Sequence, residues 1–306
     1  MSGQVEAARR EKLQELDRRG VPGFAYGFAR THTAQGARAA FEGGADGTSV
    51  YRLAGRLVAL RPHGKTTFGH LADLSGRIQV YVKQDHVGET RYGLLDLLDL
   101  GDFVGVEGPL FRTKTGEVTV RVDALTLLAK SLRPLPLGKE DDAGVRHGAL
   151  ADPEQRARQR YADLAVHPEV RELFQRRARV VAHLRRFLDA RGYLEVETPV
   201  LQPLYGGAAA RPFTTHYEAL DATVYLRIAD ELYLKRCIVG GLEKVYEIGH
   251  DFRNEGLSRF HNPEFTMAEW YEAYADYTAM RELTEELLAT LVADLFNTTS
   301  LERHGA

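Results

Sequence analysis

The sequence predicts an α+β protein with two parts of different character. Between residues 51 and 128, apolar and polar residues alternate in short runs separated by turn residues, a pattern typical of the strands of a small β-barrel. After residue 151, helical and strand patterns are mixed. A segment rich in proline, glycine and charge separates the two parts and indicates a linker over residues 131–150.

Composition limits the classes of protein to which the chain can belong. Its 306 residues suffice for two ordinary domains, and 44% hydrophobic with 27% charged residues is typical of a globular protein. The sequence has no apolar run of about 18 residues and no signal-peptide pattern, so we expect a cytoplasmic protein without a membrane anchor. The single cysteine, Cys237, excludes an intramolecular disulfide, and the net charge of −3 disfavours unspecific binding of nucleic acid over the whole surface.

The first 48 residues are predicted to form an extension in front of the barrel. Residues 6–19 have the charged pattern of a helix that ends at Gly20, and their sparse apolar positions favour an exposed appendage. An irregular loop with aromatic residues follows, and Gly43, Gly44 and Gly47 form a flexible joint. We therefore place the first domain at residues 49–130.

Residues 51–128 predict three strands, a helix and two further strands, which is the order of an OB barrel. In the third strand, RIQVYVK, alternation places Ile78, Val80 and Val82 on the inner face. The outer face carries Gln79, with Phe68 and Glu117 expected close by. Such side chains could bind unstacked bases, because stacking on an aromatic ring contributes about 1–3 kcal/mol per base. Ordinary solvent-exposed strand residues explain the pattern equally well.

The second part, residues 151–306, begins with a helix-start signal at Asp152 and continues with a long helix from Pro168 to Gly192. Apolar residues recur in this helix at spacings of three and four, and arginines occupy the remaining faces. The arginines favour a solvated or subunit-facing surface over an RNA site.

The stretch Val245–Tyr277 has the densest set of charged and aromatic residues that could bind a ligand. It predicts an apolar strand, a charged turn and a second strand with carboxylates and aromatic rings, so a hairpin there could surround a ligand. The residues alone also allow simpler interpretations. Arg253 and Glu255 could form a cross-strand ion pair, Tyr271 could be a core residue, and Glu231 could be an exposed helix residue.

Several separated motifs resemble those of one family. FRNEG at Phe252–Gly256 followed by HNPEF at His261–Phe265 resembles motif 2 of class II aminoacyl-tRNA synthetases. Together with GGAAARPF, ELYLKR, EFTMAEWYEAYADY, TKTGE and SLRPLP, in the family's order, the chain is similar to bacterial lysyl-tRNA synthetases from about Arg9 to Phe296.

This resemblance implies a fold and partners. The first domain would be an anticodon-binding OB-fold β-barrel, in which the positions of Phe68, Gln79 and Glu117 contact anticodon bases of tRNA(Lys). The second would be part of an antiparallel sheet flanked by helices, with motifs 1 and 2. Motif 1, Arg179–Pro199, implies a homodimer formed through its long helix.

The resemblance also implies a reaction in which lysine and ATP give lysyl-adenylate, followed by transfer of lysine to the tRNA. The lysine carboxylate is the nucleophile, so catalysis depends on alignment and charge neutralisation, and Arg253 is the catalytic residue that binds the α-phosphate and that carboxylate. The implied ATP-binding residues are Arg253, Glu255, His261, Asn262 and Phe265, the last stacking on adenine. The implied lysine-binding residues are Gly207, Glu231, Arg253, Glu269 and Tyr271.

The chain departs from the family pattern at several positions. Asp230 replaces a proline, His250 and Asp251 replace a polar or basic residue and an asparagine, and Phe260 replaces a basic residue for which Arg259 could partly substitute. Motif 3 and the ligands of the catalytic Mg²⁺ are expected beyond the sequence, so we expect a truncated chain, weak or inactive alone and without metal ligands. A tRNA-binding or dimerising protein without ligase activity is the alternative, and the OB pattern disfavours a ligase that modifies a protein.

Overall fold

A computed structural model of the chain describes residues 2–44, 48–140, 146–258 and 260–301. These residues belong to two compact units, Met1–Arg171 and Glu172–Ala306. The helices are α1 (Ser2–Arg18), α2 (Ala34–Glu42), α3 (Gln84–Val87), α4 (Glu89–Tyr92), α5 (Pro153–Arg158), α6 (Arg160–Val166), α7 (Pro168–Asp189), α8 (Glu231–Val239) and α9 (Tyr277–Phe296).

The strands of the first unit are β1 (Tyr51–His63), β2 (Thr66–Ala72), β3 (Arg77–Lys83), β4 (Phe103–Gly108), β5 (Leu110–Arg112), β6 (Val118–Val122), β7 (Ala124–Ala129), β8 (Leu137–Glu140) and β9 (Arg146–Ala149). Seven of them form one sheet in the order β5-β6-β3-β2-β1-β4-β7, and β8 pairs with β9. The β3–β6 pair is parallel, and the other pairs are antiparallel.

The predicted inner face of β3 is confirmed, because Ile78, Val80 and Val82 are each at most 3% exposed. The predicted barrel is an open sheet in the described part of the chain, since its edge strands β5 and β7 are not paired with each other. The two last predicted strands are each broken in two. Gly108 marks the first break, where a Cβ atom would lie 1.8 Å from the Arg121 carbonyl oxygen, so two backbones pass at a distance that only glycine permits.

The predictions for the extension and the linker are partly wrong. Helix α1 is not a solvated appendage, because Leu16 is fully buried in the core of the first unit and the Arg9 guanidinium donates to the Ser131 carbonyl at 2.8 Å. Helix α2, capped by the Thr33 side chain, lies where a loop was expected. The predicted linker contains the β8–β9 hairpin, and its residues 141–145 lie outside the described residues. The predicted domain boundaries stay predictions.

The strands of the second unit are β10 (Leu194–Glu195), β11 (Leu201–Gln202), β12 (Thr214–Tyr217), β13 (Ala222–Leu226), β14 (Lys244–Phe252) and β15 (Glu264–Glu272). Two three-stranded sheets form in the orders β10-β14-β15 and β11-β13-β12. The predicted hairpin is confirmed, and β14 pairs with β15 in antiparallel register from Lys244↔Glu272 to Phe252↔Glu264. The other strand pairs of the second unit are antiparallel except for the short β10–β14 pair, which is parallel.

One apolar cluster holds helices α7 and α9 against the hairpin. Its buried members are Phe187 and Leu188 of α7, Tyr193, Tyr246 of β14 and Leu287 of α9. The Tyr246 hydroxyl donates to the Asp189 carboxylate at 2.8 Å, so the buried ring keeps a hydrogen bond. The hairpin is therefore packed against α7 and α9, which fixes the backbone that carries its polar residues.

Candidate functional site

The site in the second unit is built around the place where β14 ends. The Arg253 backbone amide donates to the Pro263 carbonyl at 2.8 Å, which fixes the start of the turn between β14 and β15. The Arg253 guanidinium lies 5.1 Å from the centre of the Phe265 ring, a cation–π distance. The two residues implied for phosphate and adenine are thus in contact, and both are half-buried.

Two residues implied for lysine meet at the start of α8. Gly207 has a backbone φ of +87°, and a Cβ atom there would lie 2.9 Å from the Glu231 Cβ and 3.1 Å from the Ala229 Cβ. Only glycine combines this conformation with this approach, so Gly207 brings its loop against the first turn of α8. Glu231 is half-buried and forms an ion pair with Lys235 one turn later, which makes it more than an exposed helix residue.

Two further residues implied for lysine lie on the same face of β15. The Tyr271 hydroxyl donates to Glu269 Oε2 at 3.4 Å, and both side chains are half-buried rather than in the core. Burial and the neighbouring charge of Asp251 raise the pKa of Glu269. Burial and the charges of Glu269 and Glu231 raise the pKa of Tyr271, so the phenol stays protonated and able to donate.

Next to Glu231, Glu269 and Tyr271 lies a cluster of buried charges that the sequence interpretation missed. It comprises Arg227, Asp230, Glu247 and Asp251, each at most 4% exposed. Arg227 Nη1 donates to Glu247 Oε1 at 2.5 Å, and Arg227 Nε donates to the His250 carbonyl at 2.9 Å. The Thr198 hydroxyl donates to the other oxygen of Glu247 at 2.6 Å. One arginine therefore ties together the turn before α8, strand β14 and the segment after β10.

A simple signal in the sequence could have revealed part of this cluster. Alternation along β14 puts Glu247, Gly249 and Asp251 on one face, where a buried strand would normally have apolar residues. Gly249 leaves room for the arginine, because a Cβ atom there would lie 1.9 Å from Arg227 Nη2. The partner Arg227 comes from a different sheet, and no local pattern predicts that pairing.

Glu255 lies in the turn after β14 rather than on the strand, and no ion pair joins it to Arg253 among the described residues, so the cross-strand ion pair is wrong. It lines an open pocket of about 930 Å³ between the turn and the loop of residues 205–212. The Asn254 amide donates to the Arg211 carbonyl at 2.7 Å, which joins the two loops. This places the glycine- and alanine-rich loop opposite the implied ATP residue.

The remaining implied ATP residues, His261 and Asn262, are exposed in the same turn. His261 Nδ1 lies 2.7 Å from the Ser258 hydroxyl oxygen. Arg259, the expected substitute for a basic residue, lies outside the described residues. The structure thus brings Arg253 and Phe265 together and joins Gly207, Glu231, Glu269 and Tyr271 into one wall, whereas His261 and Asn262 are exposed in the turn.

The described residues do not fit a resident metal. No three His, Cys, Asp or Glu side chains among them are arranged to hold an ion, so no step is assigned to Mg²⁺. No helix within the described ranges is long and apolar enough to cross a membrane.

The first unit carries a second candidate site, on the outer face of its sheet. His70, Gln79 and Thr119 lie side by side on β2, β3 and β6. The Thr119 hydroxyl donates to Gln79 Oε1 at 2.8 Å, and Gln79 Nε2 donates to Glu117 Oε2 at 2.7 Å. His70 Nε2 lies 3.0 Å from the other oxygen of Glu117. These bonds fix the orientation of the Gln79 amide, and Gln79 keeps one N–H free of these contacts.

Aromatic rings flank this polar group. The Phe68 and Tyr81 ring centres are 4.9 Å apart, and Tyr81 and Phe111 are 5.9 Å apart. Phe68, Gln79 and Glu117 are therefore assembled on one surface, as a base-binding face requires. The sequence interpretation missed the contributions of His70, Thr119 and Phe111, because they come from cross-strand neighbours that the register brings together.

Comparison with known proteins covers both units. Residues 152–304 match the family described as tRNA synthetases class II (D, K and N), and residues 51–128 match the OB-fold nucleic acid binding domain. Similar relatives are the lysine–tRNA ligases of Halalkalibacterium halodurans (52% identical over 300 residues), Carboxydothermus hydrogenoformans (52% over 297) and Syntrophomonas wolfei (49% over 302). The alignments cover 96%, 97% and 99% of this chain but 58%, 59% and 59% of those relatives.

Removal of the buried guanidinium should destabilise the second unit. Arg227→Met leaves the buried carboxyl groups of Asp230, Glu247 and Asp251 without their cation, and we expect the free energy of unfolding to fall by about 3–5 kcal/mol at neutral pH. Urea unfolding measures this change. The exposed Arg281→Met is the control, expected within about 0.5 kcal/mol of the parent. A loss for Arg227→Met no larger than that of the control would contradict the structural role.

Proposed function

Since the chain belongs to the class II tRNA synthetases of the D, K and N group, we propose that it carries the lysine-activating part of a lysine–tRNA ligase. The ligase joins lysine to ATP as lysyl-adenylate and then transfers lysine to tRNA(Lys). The names of the similar relatives support lysine over aspartate and asparagine. The observation that supports this proposal most strongly is the acidic wall formed by Glu231, Glu269 and Tyr271.

Charge explains why this wall favours lysine. Lysine brings two ammonium groups, and Glu231 and Glu269 are two carboxylates at a half-buried surface where ion pairs are stronger than in water. Aspartate would place a third negative charge beside them, and asparagine would bring one ammonium group instead of two. Gly207 helps to form this wall, since its missing side chain lets its loop lie against the first turn of α8.

Arg253 is proposed as the catalytic residue. A guanidinium binds two oxygens at once, so it can hold the lysine carboxylate and the α-phosphate together and neutralise the charge that develops between them. Phe265 supplies a ring for adenine, and Glu255 with His261 and Asn262 supplies polar contacts to ATP from the turn. ATP is a substrate here, and the residues described leave Mg²⁺ without assigned ligands.

Selective binding of a lysyl-adenylate analogue tests this proposal. The sulfamate analogue of lysyl-adenylate should bind the 306-residue chain, and the aspartyl analogue should not. Glu269→Gln removes one charged partner and should weaken binding of the lysyl analogue about 10- to 100-fold in isothermal titration calorimetry. Glu264→Gln, on the same strand and exposed, is the control. Equal binding of both analogues, or equal effects of the two substitutions, would refute the assignment.

We propose that the outer sheet face of the first unit binds the anticodon of tRNA(Lys). The ring of Phe68 provides stacking, and the Gln79–Glu117 pair provides a donor and acceptors for a base edge. The hydrogen bonds from Thr119 and His70 support a fixed orientation of that pair.

Loss of one ring should weaken RNA binding measurably. Phe68→Ala in the full chain should raise the Kd for a hairpin with the lysine anticodon about 5- to 150-fold, which corresponds to about 1–3 kcal/mol. Fluorescence anisotropy provides the measurement. Tyr26→Ala, a fully exposed aromatic in the same unit, should leave the Kd unchanged. If the two alanine variants bind alike, the RNA site lies elsewhere.

A homodimer formed through α7 completes the proposal. Leu173 and Phe174 of this helix are 64% and 46% exposed, so α7 presents large apolar side chains at its surface, which supports a subunit contact. Leu173→Glu would bury a charge in that contact and should convert the dimer to a monomer in sedimentation velocity. Val239→Glu, at an 89% exposed site on α8, should stay dimeric. A parent chain that sediments as a monomer would exclude the dimer.

A further inference from the structure

Two aspartates in the second unit lack the partners that buried carboxylates require. Asp230 is the residue before α8, Asp251 lies near the end of β14, and both are 0% exposed. None of their four carboxyl oxygens has a hydrogen-bond donor among the described residues. Arg227 approaches within 2.9 Å of Asp230 and 3.2 Å of Asp251, but its hydrogen bonds go to Glu247 and the His250 carbonyl.

Neighbouring charges do not compensate for the pair. The groups that face it are Arg227 from the turn before α8, Glu247 from β14, Arg253 after β14, and Glu269 from β15. With the two aspartates included, four carboxyl groups face two guanidinium groups. Two ionised aspartates side by side, without hydrogen bonds, would be strongly unfavourable in this buried place.

A single proton on the aspartate pair would supply the missing hydrogen-bond donor and remove one negative charge. A protonated Asp230 is a hydrogen-bond donor, and Asp251 is close enough to accept from it. We propose that Asp230 and Asp251 share one proton in a carboxyl–carboxylate hydrogen bond, and that a cationic amino acid bound at the Glu231–Glu269–Tyr271 wall expels this proton. Burial and the charge of Asp251 support this state, since they raise the pKa of Asp230 to about 8.

The coupling follows from the position of Glu269. Besides burial, the charge of Glu269 helps to raise the pKa of Asp230, and the charge of Asp251 helps to raise that of Glu269, so an ammonium group on Glu269 would lie close to the aspartate pair. Positive charge there stabilises the ionised pair and lowers its affinity for the proton. The O–H bond of Asp230 breaks, the proton goes to solvent, and the ligand keeps its own protons. This step rests on the proposed lysine site, whereas the shared proton does not.

The shared proton also sets a pH dependence of stability. Burial and the charge of Asp251 raise the pKa of Asp230 from the ordinary 3.8 to about 8, so the proposed shared proton stays on the folded chain at pH values at which the unfolded chain has lost it. Between these values the folded state binds more protons than the unfolded state, so stability falls as pH rises through the window. Asp251→Asn supplies an amide donor and removes a charge, and it should flatten this fall. Thermal unfolding between pH 5 and pH 9 compares the two proteins.

Carboxyl-carbon NMR of the ligand-free, aspartate-labelled 306-residue chain tests the shared proton. We expect one aspartate that titrates near pH 8. Asp251→Asn should move that titration to lower pH by about 1–3 units. Asp221→Asn, with a side chain 98% exposed, should leave it in place. If no aspartate of the parent chain titrates above about pH 6, the shared proton is refuted, whatever the variants do.

Calorimetry with lysine tests the coupling. Binding at pH near 7.5, in buffers with different heats of ionisation, should reveal net proton release by the parent chain and little or none by Asp251→Asn. Equal proton release by the two proteins would refute the coupling. Absence of lysine binding would refute the lysine site and the coupling together, and the NMR titration would still decide whether the aspartates share a proton.

Discussion

The second unit depends on one buried guanidinium. Arg227 follows β13, and it bonds to Glu247 and to the backbone of His250 on β14, a strand of the other sheet. Glu247 in turn accepts from Thr198, between β10 and β11. Gly249 is needed because any side chain there would occupy the space of the guanidinium. This ion cluster therefore holds the two small sheets of the unit in the arrangement that places α8 beside β15.

The cluster also determines the electrostatics of the proposed site. Glu231 starts α8, and Glu269 and Tyr271 lie on β15, so the wall exists only where helix and strand are held together. Burial, together with the repulsion between neighbouring carboxyl groups, raises the pKa values of Asp230, Asp251 and Glu269, so these groups are strained when ionised. A ligand with positive charge relieves this strain, and an acidic ligand increases it. The proposed selectivity for a cationic amino acid thus has its physical basis in the fold of the unit.

Much of the architecture was predictable because local patterns encode it. The alternation in RIQVYVK placed three valine and isoleucine side chains inside, and the hairpin of β14 and β15 was visible from its two strands and charged turn. The missed features depend on distant contacts. Leu16 turns α1 from an appendage into part of a core, and Gly108 breaks a strand because another backbone passes 1.8 Å from its missing Cβ. Neither contact leaves a periodic signal in the sequence.

The chemical groups of both proposed sites can be read from the order of residues alone: a motif with Arg253 and Phe265, glutamates at 231 and 269, and an aromatic strand face with Gln79. These residues identify a family because their types and order are specific. Which of these groups lie together depends on the fold. It joined Gly207 to Glu231 and Thr119 to Gln79, and it buried Asp230 beside Asp251. The physical reason is that burial and charge interaction depend on distance in space, and residues far apart in the chain acquire that distance only when the fold forms.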